Sequence, residues 1–371
     1  MQTMNKHALN LHQLTFEVSV GEGAFGCVFL AYDYDDDKIV AVKIFQQEKY
    51  DSKESDAVKQ LLSDQDLYPL LVMEYANMMT LDIIAKQPNI PLPTYTFRAL
   101  MKQILEGMRA FHSSGFVHRD IKCDNILLHS PPGSGRVHAK ISDFGFAKKV
   151  DLNNKQTYLA GTIPFMSPEQ FHENPIITQK VDIYALGITF YKLITHKYPV
   201  NERNFKEQGK KMSQLKWIKR PSEIKYNLLW DLLSRLMEFD PDKRITAAEA
   251  LQHPYFTSTE ALSDISKEQQ DLASQAAVAI LEGDSSITEF DKDPTFIVSE
   301  SIIKQFILKY IQRNQPNQQD IIEKQKNESQ IEGIQTVYEI DEQENEGEMI
   351  ELAIQISIQN DDNIEQSQQL T

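Results

Sequence analysis

Eight consecutive residues, His118-Arg119-Asp120-Ile121-Lys122-Cys123-Asp124-Asn125, constrain this chain more than any other feature. They are mostly polar. Before them, Phe97, Leu100, Met101, Ile104, Leu105, Met108 and Phe111 recur at three- and four-residue spacing, which predicts a helix with one buried face. After them comes the apolar run Ile126-Leu127-Leu128. Polar groups lodged between apolar elements cost free energy unless they find partners, so such a loop has little structural reason to exist. Its side chains suit chemistry instead. Asp120 can accept or orient a hydroxyl proton, Lys122 can neutralise a moving phosphoryl group, and Asn125 can hold a metal ion through its amide oxygen.

Other segments fit this reading by position. Asp143-Phe144-Gly145 ends a strand predicted over 139–142, 18 residues after Asn125. A carboxylate there suits Mg²⁺, a hard cation that takes oxygen ligands. Gly21-Glu22-Gly23-Ala24-Phe25-Gly26 lies between strands predicted over 16–20 and 27–32. In a dinucleotide fold such glycines open a helix. Here the return to a strand pattern fits a hairpin lid, whose backbone N–H groups can approach phosphate oxygens with no Cβ in the way. An ordinary glycine hairpin is the plain alternative. Lys43 ends the apolar run Val40-Ala41-Val42, where it either meets an anion or snorkels from a strand edge. Glu169 and Arg244 make a candidate buried charge pair with a structural role.

Strands are also predicted over 39–45, 58–62 and 70–75, and helices over 181–195, 226–238 and 246–253. A strand-rich front and a helix-rich back imply an α+β, two-lobed body. Trp217 and Trp230 are expected in its core, and Asp33, Asp35, Asp36 and Asp37 in a solvated turn. Residues 257–371 hold 24 acidic and 7 basic side chains, whereas the 256 residues before them are almost neutral. With no net-basic domain, nucleic acid is not an expected partner. Two further helices are predicted at 266–281 and 300–313, the latter with a stripe of Ile302, Ile303, Phe306, Ile307, Tyr310 and Ile311. They would make 257–313 a helical segment that docks a partner or the body. Residues 314–371 read as an acidic, Gln/Asn-rich, mostly disordered tail. Two cysteines, an N-terminus without an apolar core and no apolar run long enough to span a bilayer predict a soluble, cytoplasmic protein.

Taken together, the glycine loop, Val40-Ala41-Val42-Lys43, the 118–125 loop, Asp143-Phe144-Gly145 and Ser167-Pro168-Glu169 resemble the eukaryotic protein kinases in order and approximate spacing, over 14–256. The resemblance implies a small β-rich lobe (14–75) and a large helical lobe (77–256). It implies ATP and Mg²⁺, and in-line phosphoryl transfer achieved by positioning and charge neutralisation. Gly21, Glu22, Gly23, Ala24, Phe25 and Gly26 would cover the nucleotide, and Lys43 would hold its α- and β-phosphates. Met73 would be the gatekeeper. Glu74 and Ala76 would meet adenine through backbone groups, and Val28, Ala41 and Leu127 would sandwich the ring. Asp120 would be the catalytic base, Lys122 the γ-phosphate partner, and Asn125 and Asp143 the metal ligands. Lys122 and Gly161-Thr162 resemble the serine/threonine branch, which acts on protein hydroxyls. Arg119 implies control through an activation loop, with Thr157, Tyr158 and Thr162 as its hydroxyls. Of these, Tyr158 aligns with the usual primary position and Thr162 with a hydrogen-bonding role at the catalytic centre. Asp143-Phe144-Gly145-Phe146-Ala147-Lys148 and the extra 130–138 loop are similar to the unc-51-like, autophagy-initiating kinases.

The likeness breaks after Lys43. Active kinases carry a helix there whose Glu pairs with the strand Lys, yet only twelve residues, 46–57, precede the next predicted strand. Glu48 and Glu54 are the acids on offer, and neither has the family's usual separation from the Lys. Two readings follow: an active serine/threonine kinase, or an ATP-binding pseudokinase or scaffold whose shortened helix impairs catalysis.

Overall fold

The computed structural model describes residues 14–23, 26–34, 38–45, 70–150 and 161–314. The chain divides into two compact units, Met1–Asn77 with Ile311–Thr371, and Met78–Tyr310. The predicted strand at 58–62, the short 46–57 stretch with Glu48 and Glu54, three of the four turn aspartates (Asp35, Asp36 and Asp37) and the 315–371 tail lie outside the described residues, as do Ala24, Phe25, Thr157 and Tyr158.

The first unit holds an antiparallel sheet in the order β1 (Leu14–Gly23), β2 (Gly26–Asp33), β3 (Lys38–Phe45) and β4 (Leu70–Glu74). The strands run further into the glycine loop than the sequence implies, because Gly21 pairs with Val28 and Gly23 with Gly26. Along β3 the two-residue period buries Val40, Val42 and Ile44 with Ala31, while Ala41 and Lys43 stay half-buried on the other face. Val28 stands opposite Lys43, and Ala41 opposite Met73. Directly paired residues share a face, so these four expected nucleotide residues line one side of the sheet.

The second unit is mainly helical: α1 (Asp82–Ala85), α2 (Thr94–Ser113), α3 (Lys180–Thr195), α4 (Phe205–Ser213), α5 (Asn227–Leu236), α6 (Ala247–Leu251), α7 (Pro254–Thr257), α8 (Thr259–Ser263), α9 (Lys267–Leu281) and α10 (Glu300–Asn314). Two small ladders pair β5 (Phe116–Val117) with β8 (Lys148–Lys149), and β6 (Ile126–His129) with β7 (His138–Ile141). The expected stripe of α2 is buried from Phe97 to Met108, and only Phe111 emerges. Gly115, at φ +80°, ends this helix and donates its N–H to His112 O at 3.0 Å. Helix α3 is buried on every side, as an apolar helix without a polar stripe must be. At Gly187 a Cβ would stand 2.6 Å from Met237 Cγ, so the close approach of α3 and α5 needs glycine there.

The predicted 246–253 helix is cut to α6, because His253 turns out of it to cap α7, its Nδ1 accepting the Tyr255 N–H at 3.1 Å. Trp230 is half-buried on α5, but Trp217 is 65 % exposed. It lies in a connection between α4 and α5 that turns its neighbour Ile218 inward instead.

Residues beyond 256 belong to this same unit as far as Tyr310. Ser266 caps α9 with a reciprocal Gln269 contact, as a capping box predicts. Ile303, Phe306 and Ile307 of the α10 stripe are buried. The connecting segment is laced to the body: the Val137 N–H donates to Val298 O at 2.8 Å, the Glu300 N–H to Gly135 O at 2.8 Å, and Gln103 Nε2 to Phe296 O at 2.6 Å.

Candidate active site

Asp182, in the first turn of α3, is 1 % exposed. A carboxylate buried this deeply needs several donors. Its Oδ2 accepts the His118 N–H and its Oδ1 the Arg119 N–H, both at 2.8 Å, while His112 Nε2 lies 2.9 Å from Oδ2. These bonds clamp the start of the 118–125 loop and hold Arg119 in the left-handed region, at φ +72°. The buried His118 ring is anchored at both nitrogens, with Nε2 3.0 Å from Ser142 O and Nδ1 3.4 Å from the Asp120 N. That pattern requires one ring donor and one acceptor, the neutral imidazole. Burial lowers its pKa, against the pull of the Asp182 charge.

Asp120, buried, sits at the centre of a side-chain cluster. Its Oδ1 accepts from Thr162 Oγ1 at 2.8 Å, and its Oδ2 from Asn125 Nδ2 at 3.0 Å. Lys122 Nζ is 3.1 Å from Oδ2 and donates to Thr162 Oγ1 at 3.1 Å. Asn125 Nδ2 also donates to Asp120 O at 2.8 Å. Both bonds use the amide nitrogen, so the amide oxygen is the group Asn125 can offer a cation. Thr162 follows Gly161, whose φ of +116° and backbone contact allow no side chain: a Cβ would stand 2.6 Å from Arg119 O.

The β6–β7 register, with Ile126 opposite Ile141, explains why residues 17 positions apart meet. The Ser142 N–H and Oγ both donate to Asn125 O, at 2.9 and 3.1 Å. The next residue, Asp143, adopts a left-handed conformation at φ +59°. Phe144, 48 % exposed, stacks on Phe111 with centroids 5.5 Å apart and meets the His118 ring edge-on at 5.3 Å. Leu127 lies on β6 and bridges to Thr80. The structure therefore gathers Asp120, Lys122, Asn125 and Thr162, and ties Asn125 to the residue before Asp143. The amide oxygen and the carboxylate are hard donors that fit Mg²⁺, which commonly takes one or two carboxylates plus substrate phosphates. Glu169 and Arg244 form the expected buried pair, bidentate at 2.7 and 2.9 Å. Asp182 as the clamp of the loop was missed. The available signal was an acid opening a helix too apolar to leave it in water.

The protein kinase domain family matches residues 59–256, just over half of the chain. This chain belongs to the protein kinase family. It is 38 % identical over 166 residues to sperm motility kinase 3A of Mus musculus, covering 45 % of this kinase and 32 % of the relative. It is 32 % identical over 175 residues to the liver/testis isoform of the phosphorylase b kinase gamma catalytic chain of Homo sapiens (44 % and 41 %). It is also 30 % identical over 272 residues to serine/threonine-protein kinase cds1 of Schizosaccharomyces pombe (64 % and 57 %). The kinase thus spans a third to three-fifths of the length of these curated relatives. Such relatives agree with the serine/threonine branch read from Lys122 and Gly161-Thr162. Gly21, Gly23, Gly26 and Lys43 precede the family match. Among the described residues no helix is long and apolar enough to cross a membrane.

Proposed function

We propose that this kinase transfers the γ-phosphoryl group of ATP to serine or threonine hydroxyls of proteins. The observation that carries the reading is Asp120: a buried carboxylate with Lys122, Asn125 and Thr162 all within hydrogen-bonding distance. The acceptor hydroxyl attacks the γ-phosphorus, and the bond from that phosphorus to the β-bridging oxygen breaks. ADP leaves with the bonding pair, and the hydroxyl proton passes to Asp120. Lys122, now held by Asp120 and Thr162, turns its charge to the transferring group. Lys43 and the glycine loop hold the phosphates, while Val28, Ala41, Leu127 and the backbone at Met73, Glu74 and Ala76 bind the base. Asn125 and Asp143 would hold Mg²⁺, which supplies charge neutralisation at the phosphates. Tyr158 is the proposed regulatory hydroxyl. A chain with only two cysteines, Cys27 and the buried Cys123, fits a reducing compartment such as the cytoplasm.

The test is phosphate transfer to a generic protein substrate with Asp120→Asn as control. Transfer by the wild type alone is expected, and equal signals would overturn the reading. The shortness of 46–57 favours a second reading, a nucleotide-binding scaffold. ATP binding that Lys43→Met abolishes, without turnover in the wild type, would select it.

A further inference from the structure

We propose that a second site, a cavity walled by α2, the start of β7 and the 288–298 segment, binds a small organic carboxylate with an apolar, planar body. Its volume is about 300 Å³, within the range of small-molecule sites, and none of its walls belongs to the Asp120 cluster.

The polar end is Arg136. This residue is 6 % exposed, and its buried Nε has no hydrogen-bond partner among the described residues. Its Nε comes within 3.1 Å of Asp291 Oδ1 and gains charge compensation without a bond. Asp291 is already engaged. His138 Nε2 lies 2.9 Å from its Oδ1, and the Thr288 N–H and Oγ1 donate to its Oδ2 at 2.8 and 2.7 Å. Burial works to raise the Asp291 carboxyl, but the bonds from His138 and Thr288 outweigh it and hold the group below the usual carboxylate range. A buried guanidinium carries five N–H donors in a planar fork. The matching acceptor is a carboxylate approaching in that plane.

The other end is apolar. Phe290 and Phe296 stand 4.9 Å apart, centroid to centroid, and suit a flat hydrocarbon body. Gly107 and Ala110 of α2 give the floor almost no side chain. Gly107 disfavours the helix relative to alanine, and packing does not demand it: a Cβ there would meet Ile141 Cδ1 at an ordinary 3.5 Å. The glycine keeps space open. A phosphate would bring a second negative charge beside Asp291, so the monoanion is the better match.

Calorimetric titration of the full chain with 2-naphthoate, 2-naphthylmethanol and 2-naphthylmethylamine tests this. The acid is expected to bind at least about tenfold more tightly than the alcohol or the amine. Arg136→Met should erase that preference. Ala110→Leu should weaken the acid by filling the floor, with an unchanged melting temperature. If Arg136→Met does not fold, Arg136→Lys, which keeps the charge but not the fork, replaces it with the same expectation. Equal binding of acid and alcohol, no binding of the acid at about 1 mM, or acid binding that survives both substitutions would overturn the proposal.

Discussion

Two carboxylates in the second unit, Asp120 and Asp291, look alike by burial: both are almost fully enclosed, and each is engaged at both oxygens. They differ in what engages them. Around Asp120 the donors are the side chains of Thr162, Asn125 and Lys122, any of which can trade this partner for a substrate or a cation. Around Asp291 two of the donors come from Thr288, three residues away, one of them main chain, which closes a local ring that cannot be redeployed. If Asp120 is the base proposed above, burial and bond count do not separate a reactive carboxylate from a structural one. The kind of donor does: separate side chains around Asp120, a local ring that includes main chain around Asp291.

The comparison breaks if substitutions at the two sites give the same phenotype. Asp120→Asn should lower the turnover number by about 10²–10⁴-fold while leaving the urea midpoint unchanged, read by radiolabelled transfer and equilibrium unfolding. Arg244→Met sets the structural extreme. It strands buried Glu169 without its bidentate partner and should cost about 3–5 kcal/mol, seen as a collapsed urea midpoint. Asp291→Asn should cost about 1–3 kcal/mol with transfer at Asp120 retained. Its pH dependence has a definite sign. The folded carboxyl titrates below its unfolded counterpart, so its contribution is complete above about pH 4 and is lost as pH falls toward the folded value. The gap between wild type and Asp291→Asn in urea melts should accordingly close on acidification; a gap that widened would contradict the assignment. The smallest effect is expected at Met79, whose φ of +64° is left-handed. Met79→Gly should raise stability by up to about 1 kcal/mol in thermal melts.

The Asp120 cluster was legible because its chemistry is contiguous: three functional side chains, Asp120, Lys122 and Asn125, fall within 118–125, and the motif order supplied Asp143 and Thr162. The β3 face was legible from a period of two. Asp182 was not, because its partners lie 63 and 64 residues away and an acid opening a helix serves equally well for its dipole. The Asp291 cluster was hidden more deeply, since His138 stands 153 positions from it. By charge count the excess acidity falls wholly after residue 256. Yet Asp264 pairs with Arg98 at 2.6 Å, and Asp291 with Arg136 and His138, so part of that acidity belongs to the body.

The β6–β7 hairpin has a practical consequence for where this protein can be cut. One end positions Ser142 against Asn125, and the other is covered by Val298 and Glu300. A chain trimmed at Phe256, the last residue of the family match, would leave the Val137 N–H and the Gly135 carbonyl without their partners. It would also bare the side of α2 from which Gln103 reaches Phe296. The boundary set by likeness to other kinases and the end of the compact unit differ by 54 residues, Phe256 against Tyr310. A truncation should keep α10, which runs on to Asn314.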